Sequence, residues 1–364
     1  MTLSDHQPEP TSPETVEQPA KRSWFEKVPV LKRPGRWITG GILVILLILV
    51  LLGPTYLSVF DLTLAFTLFN YMTLAQSWNL LGGYGGQFSL GHSLFVGAGS
   101  YTTAVLLLHS AIPLYLAFPL SGCVAACIAT GAALVLMRLR EVYFTIGSLG
   151  LAMAGLTWMI NWSYTGATSG LSLPPTASLD YSTLYYLSFA LLVLTMVCIV
   201  LLVRSPFGLR LMAIRDDQEA AAELGVYSFP VKLITFAVSA FFVGVAGALI
   251  ALNSSSIEPN SAFSLNWVIT MIIITIIGGI STSIGPLIGA VVLFTLQQAL
   301  QGYQNWSTLI IGVLLILIIR LAPDGVWKAL VNGFQWLTEI TLKNGSVSQQ
   351  SPSQPEEDTV ENIV

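Results

Sequence analysis

Apolar residues in this chain come in long runs, broken by short polar stretches. The runs lie near 37–57, 61–81, 92–111, 114–137, 142–162, 184–203, 231–252, 265–281, 286–303 and 306–321. A helix needs about 20 mostly apolar residues to cross a bilayer. The pattern therefore predicts an all-α polytopic membrane protein of about ten transmembrane helices. The runs 265–281 and 286–303 are short enough to be half-helices instead. Residues 1–36 are polar, Pro-rich and acidic, and they end in a basic cluster. With no apolar core they are expected to be disordered, as is the tail after Leu342. They do not read as a signal peptide, because polar residues precede the first apolar run. The expected organisation is a segment 1–36, a membrane domain 37–322 carrying a polar loop at 204–231, and a tail 323–364.

Composition agrees with this pattern. The chain is 54% hydrophobic and only 9% charged, against about 25% charged in an ordinary soluble domain. Most of its surface must therefore face lipid. The net charge of −4 carries little information, because the tails hold 9 of the 19 acids. Cys123, Cys127 and Cys198 all sit in apolar runs without metal-ligand spacing and read as small core residues.

Lys and Arg set the orientation. With the N-terminus in the cytoplasm and ten crossings, all 15 fall on inside segments. They lie before the first helix, at Arg138 and Arg140, at Arg204, Arg210, Arg215 and Lys232, and at Arg320, Lys328 and Lys343. The outside loops receive only acids such as Asp180 and Glu258. The C-terminus is then cytoplasmic as well. One helix more or fewer early in the chain would break this segregation.

Two glycine-rich joints interrupt the apolar runs. The first, Leu81 to His92, is LGGYGGQFSLGH, with Gly97 just beyond. Glycine lets a backbone leave helical geometry or pack closely. Non-helical backbone at membrane depth is tolerated only inside protein or along a water-filled cavity. One reading is a bend lining a translocation path, with Gln87, Ser89, His92 and Ser93 as its polar residues. The other is a short inside loop followed by a small-residue helix contact. For His92 taken alone, a hydrogen-bonded structural role is preferred. The second joint, Gly278 to Gly289, is GGISTSIGPLIG. Paired interruptions in the two halves of a chain point to a transport site. A polar, uncharged outside segment starts at Ser163 (SYTGATSGLSLPP) and reads either as a substrate-receiving surface or as a connecting loop.

Chemistry is sparse. Asp61 begins a helix, where its charge suits the N-terminal dipole. His109 lies at an outer boundary. No chain of buried acids forms a proton relay, and no phosphate loop, HExxH or GxSxG is present. The chain does not read as an enzyme, and no cofactor is expected on it. If transport is active, its energy must enter from another polypeptide.

The stretch Arg204 to Lys232 is the charged exception. It holds eight charged residues, whereas Asn70 to Val203 holds four. Ser205 and Pro206 suit a helix start as cap and first residue, and Leu209, Ala213 and Ile214 recur at helical spacing. A second short helix can begin at Asp216 or Asp217. Ala220, Ala221 and Leu224 would form its apolar face, with Gly225 as the stop. Two short helices at a membrane exit make a compact knob for a partner's groove. Arg215, Asp216, Asp217, Glu219, Glu223 and Gly225 are the candidate contacts.

These motifs resemble the LivM-type permease subunits of ATP-binding-cassette importers for branched-chain and other hydrophobic amino acids. Gly82 to Gly99 (GGYGGQFSLGHSLFVGAG) is similar to that family's GYxGQxSLGH stretch. Thr165 to Leu171 (TGATSGL) resembles its TGGTxGL segment. Ser205 to Val226 resembles its cytoplasmic coupling element, and Ser283 to Ala290 (SIGPLIGA) its GPxxGA run. The resemblance covers about Ala65 to Gly325. It departs at Ile280-Ser281-Thr282, where the family is richer in glycine, and at Asp324, where a basic residue is usual.

The resemblance implies a type II-like importer permease in the bacterial plasma (inner) membrane. Its implied partners are a homologous LivH-type permease, two ATPase subunits that bind ATP and Mg, and an extracytoplasmic solute-binding protein, with lipid around the helices and no nucleic acid. Urea and other small-solute permeases are close relatives, so the resemblance leaves the substrate open. A passive channel, a secondary transporter and a structural membrane protein are the alternatives from other classes.

Overall fold

The computed structural model describes residues 50–110, 112–139, 141–173, 179–254 and 256–300, together with 302, 309–313, 316–317, 320 and 325–329. The expected runs 37–57 and 306–321 fall largely outside these residues. Segment 1–36 and most of tail 323–364 also lie outside them. The fold below is that of the compact unit beginning at Gly53.

After a single turn at Gly53–Tyr56, helix α1 runs Val59–Asn79 and passes into a π-helical segment, Leu80–Tyr84. Asp61 has a specific local task. Ser58 Oγ accepts from Asp61 N at 3.3 Å, and Ser58 N donates to Asp61 Oδ2 at 3.2 Å, a reciprocal capping box. Every residue from Met72 to Leu81 is buried, polar ones included. A helix buried on all sides lies at the centre of its bundle. Around α1 follow α2 (His92–His109), α3 (Leu114–Leu136), α4 (Glu141–Asn161) and α5 (Tyr181–Arg204). The charged element supplies α6 (Pro206–Asp216) and α7 (Gln218–Glu223), and α8 is Ser228–Ser254. After a turn at Pro259–Ala262 come α9 (Leu265–Gly278) and α10 (Gly285–Ala299). The two-residue strands β1 (Leu171–Ser172) and β2 (Ser256–Ile257) pair antiparallel, Leu171 opposite Ile257.

Among the described residues, five stretches are long and apolar enough to cross a membrane: α3, Val142–Asn161 of α4, α5, α8 and Pro259–Gly278. At 1.5 Å per residue, the 14-residue α9 and the 15-residue α10 are each roughly 21–22 Å long. Both fall short of the ~30 Å hydrocarbon core. They pack against each other, and a Cβ on Gly289 would lie 2.0 Å from Ile274 O.

Small residues hold α2, α3 and α8 together. A Cβ on Gly99 would sit 2.0 Å from Gly244 O, and one on Gly247 would sit 2.3 Å from Val96 O. The α3 face against them is Ala117, Ser121, Ala125, Ala129 and Ala133, a strict four-residue repeat of buried small side chains. That repeat decides where the cysteines go. Cys123 and Cys127 fall on the opposite, exposed side of α3, and Cys198 is half-buried, so the expectation of core cysteines is corrected.

The connecting segments gather at two ends. At one, Gly83–Gln87, residues 137–139 and 142–144, the α6–α7 element, Gly279–Ser283 and Gly325 meet one another. At the other, His109 stacks on Tyr164 with ring centroids 4.7 Å apart, and Tyr101 Oη donates to Ile257 O. The described arginines 138, 204, 210 and 215, with Lys232, lie on segments of the first end.

Gly99→Val is expected to lower stability by about 3 kcal/mol or more, because the new side chain meets main chain that cannot yield. Gly131→Ala, whose Cβ would meet nothing within 4 Å, should leave stability unchanged or raise it by about 0.5–1 kcal/mol. Thermal unfolding of the detergent-purified variants separates the two.

Candidate functional site

The α6–α7 element is a pair of capped helices. Ser205 Oγ accepts from Phe207 N at 3.2 Å, with Pro206 at the first helical position. Asp217, not Asp216, caps α7. Its Oδ1 accepts from Glu219 N at 2.9 Å and Ala220 N at 3.0 Å. Gly225 ends the helix at φ +80, and Val226 N bonds back to Ala221 O at 3.0 Å.

The buried face of the element is Gly208, Leu211, Ile214 and Ala221, set against Leu80, Tyr84, Ile199 and Val231. This corrects the apolar face read from sequence. Leu209 and Leu224 point outward instead, at 65% and 84% exposure, and Tyr227 is 82% exposed. The reason is geometric: a Cβ on Gly208 would lie 2.0 Å from Val203 O, so α6 presses its glycine face onto the end of α5. Asp216, Asp217, Glu219 and Glu223 are exposed beside Leu224. A largely apolar cleft of about 480 Å³ opens at Leu224, lined by Phe207, Arg210, Leu224, Tyr227, Pro230 and Ile234.

Arg215 differs from its charged neighbours. Its Nε and Nη2 donate to Asp216 Oδ1 at 2.9 and 2.7 Å, and its Nη1 donates to Ser281 Oγ at 3.2 Å. Its stem lies across Gly86, which has φ +68; a Cβ there would be 2.6 Å from Arg215 Cγ. The two glycine-rich joints are in direct contact. Ser281 Oγ donates to Gly83 O at 2.8 Å, and Ser281 N donates to Asn79 Oδ1 at 3.0 Å. Asn79 Nδ2 donates to Thr282 O at 2.9 Å, and the Tyr84 and Ser283 hydroxyls are 3.0 Å apart. A cavity of about 800 Å³ opens beside this junction, lined by Gln87, Arg138, Tyr143, Arg215, Asp217 and Lys232 among others.

The four polar residues of the first joint separate into two kinds. Ser89 and His92 are fully buried and fully engaged. His92 Nδ1 lies 3.1 Å from Ser89 Oγ, and Nε2 lies 2.9 Å from Ser239 Oγ. Ser239 Oγ donates to Ser77 O at 2.7 Å, so it accepts from His92, which assigns the ring proton to Nε2. Ser89 Oγ accepts from Gly91 N and so donates to Nδ1. A neutral imidazole thus ties α1, the joint, α2 and α8 together. Trp78 Nε1 adds a bond to Ser89 O at 2.9 Å. By contrast, Ser93 Oγ and Gln87 Oε1 are buried without a protein partner.

Sequence reading missed Gln76. It is 0% exposed, and neither amide atom has a partner. A search confined to ionisable residues passes over it, although a glutamine inside a buried apolar helix is itself a signal.

Long apolar helices, two interlocked glycine breaks and a protruding polar element define an integral-membrane permease subunit. Residues 61–319 match the family described as branched-chain amino acid transport system / permease component, and the chain belongs to that family. It is 26% identical over 334 residues to the high-affinity branched-chain amino acid transport system permease protein LivM of Escherichia coli K12, covering 84% of this chain and 77% of that protein. It is also 26% identical to LivM of Salmonella typhimurium, covering 78% and 74%. The ribose import permease protein RbsC of Bacillus subtilis is 29% identical over a shorter stretch, 37% of this chain and 45% of that protein. No solved structure matches the chain.

His92→Ala should lower stability by about 2–3 kcal/mol, because it strands the buried hydroxyls of Ser89 and Ser239. Gln76→Leu should leave stability unchanged or raise it by about 1 kcal/mol, since it removes an unpaired buried amide. Thermal unfolding in one detergent compares both variants with the parent.

Proposed function

We propose that this chain is the pore-forming permease of an ATP-driven importer for branched-chain and other neutral amino acids. In this reading it sits in the bacterial inner membrane with the Arg138–Lys232 end and both termini in the cytoplasm. Its partners are a homologous LivH-type permease, two ATPase subunits that hold ATP and Mg, and an extracytoplasmic solute-binding protein. The substrate class rests on the family and on the LivM relatives.

The observation that carries the mechanism is the exposed α6–α7 element. The element carries four exposed acids, and its Leu224 is 84% exposed at the edge of a largely apolar cleft. Water alone gives no reason to hold a leucine out among carboxylates on a doubly capped scaffold. An ATPase surface with an apolar groove and basic rim does. Closure of the ATPases would push the knob, and the helices above it would rock between outward-open and inward-open states. Ser89 and His92 serve as the frame of the first joint. Gln87 and Ser93, with unpaired polar atoms, are the members of that set free to meet a solute along the path.

Charge reversal at both Asp217 and Glu223 to Arg is expected to abolish uptake of labelled leucine while the protein still inserts in the membrane. Normal uptake in that variant, or uptake that persists after ATP depletion, refutes the reading. Competition by unlabelled alanine, proline, ribose and urea ranks the substrates.

A further inference from the structure

We infer that Ser281 is a positioning residue that passes displacement of the α6–α7 element to both glycine-rich joints. The inference rests on the importer reading above and extends it. Among the described residues, Arg215 links the element to the second joint by a side-chain hydrogen bond, and it touches the first as well. Asp216 grips its guanidinium through two donors, which fixes the plane and aims Nη1 at Ser281 Oγ, 3.2 Å away. That hydroxyl donates onward to Gly83 O at 2.8 Å, and the same residue's N–H reaches Asn79 Oδ1 at 3.0 Å. One serine therefore ties α6, the end of α1 and the joint leading into α10. The Arg215 side chain is 32% exposed, with its guanidinium engaged by Asp216 and Ser281.

The backbone supplies a second argument. Ser281 has φ +60, in the left-handed region that glycine occupies without strain and that other L-residues occupy at a cost. A residue that strains its own backbone needs a use for its side chain, and the only one visible is this three-way bridge. The bridge is also stiff. A Cβ on Gly83 would lie 2.9 Å from Ser281 N, so the two joints meet with no slack to absorb a push.

The test uses the whole transporter, this chain with its partner permease and ATPases, reconstituted in vesicles. ATP hydrolysis, labelled-leucine uptake and complex integrity are read on the same preparation. Ser281→Ala removes the hydroxyl. Ser281→Gly removes it while relieving the backbone, so it tests the idea even if the alanine variant folds poorly. Both should leave the complex intact and hydrolysis within about twofold of the parent. Leucine moved per ATP should fall about tenfold, the factor that corresponds to losing one bond to a charged group. An unchanged ratio of transport to hydrolysis in Ser281→Gly overturns the inference and leaves Ser281 as a turn residue. Equal loss of both activities in an intact complex also overturns it. Failure of the parent chain to form a complex with ATPases would instead overturn the importer reading itself.

Discussion

A helix that breaks at membrane depth must still satisfy its backbone, because lipid offers no hydrogen bonds. The rest of the structure follows from how this chain meets that demand at two places at once. The π-helical end of α1 and the turn after α9 lie about 200 residues apart in sequence, and each supplies what the other lacks. Asn79 accepts from the N–H of Ser281 and donates to the carbonyl of Thr282, and the Ser281 hydroxyl covers Gly83 O. Together they form a junction at the buried end of α1, with the α6–α7 element beside it.

The same demand explains the polar residues inside the bundle. Serines and threonines along α1, α2, α8 and α9 mostly return their hydroxyls to carbonyls one turn back or on a neighbouring helix, as Ser100 does to Gly247 O and Thr275 to Ala75 O. His92 is the larger version of this device, a neutral ring held between two hydroxyls. Against that background Gln76 differs: among the described residues, both of its buried amide atoms lack a partner, where Asn70, Gln87 and Ser93 each leave one atom unpaired. An unpaired buried amide costs roughly 1–3 kcal/mol, and a leucine would fill a similar volume. The framework is therefore rigid on the α2–α3–α8 side, where glycines bring backbones into contact, and under-satisfied along α1.

Much of this was legible in the sequence, for physical reasons that differ by feature. Helix limits from α1 to α8 lie within a few residues of the apolar runs, because lipid tolerates no long polar interruption. The caps at Ser205 and Asp217 and the stop at Gly225 were readable because capping is local chemistry. The orientation of the short helices was not. An eleven-residue and a six-residue helix take their buried face from what they rest on, so Leu209 and Leu224 point outward despite their spacing. The cysteines were misplaced for a related reason: in α3 the repeat of alanine and serine, not hydrophobicity, marks the packed face. The contact between the joints had no local signal either, since pairing across about 200 residues leaves no periodicity to read.

Those misreadings bear on mechanism. If Leu224 were folded inward, the α6–α7 element would be a polar loop, held only by charge and screened by salt. With Leu224 and Tyr227 outward and Ala221, Leu211 and Ile214 inward, the element has an apolar contact on each side. One seats it on α5, α8 and the first joint, and the other faces away from the bundle. Arg215 adds a fixed polar link from the element to the junction of the two breaks. The charged stretch is thus continuous, through one arginine and one strained serine, with the places where the membrane helices are able to bend.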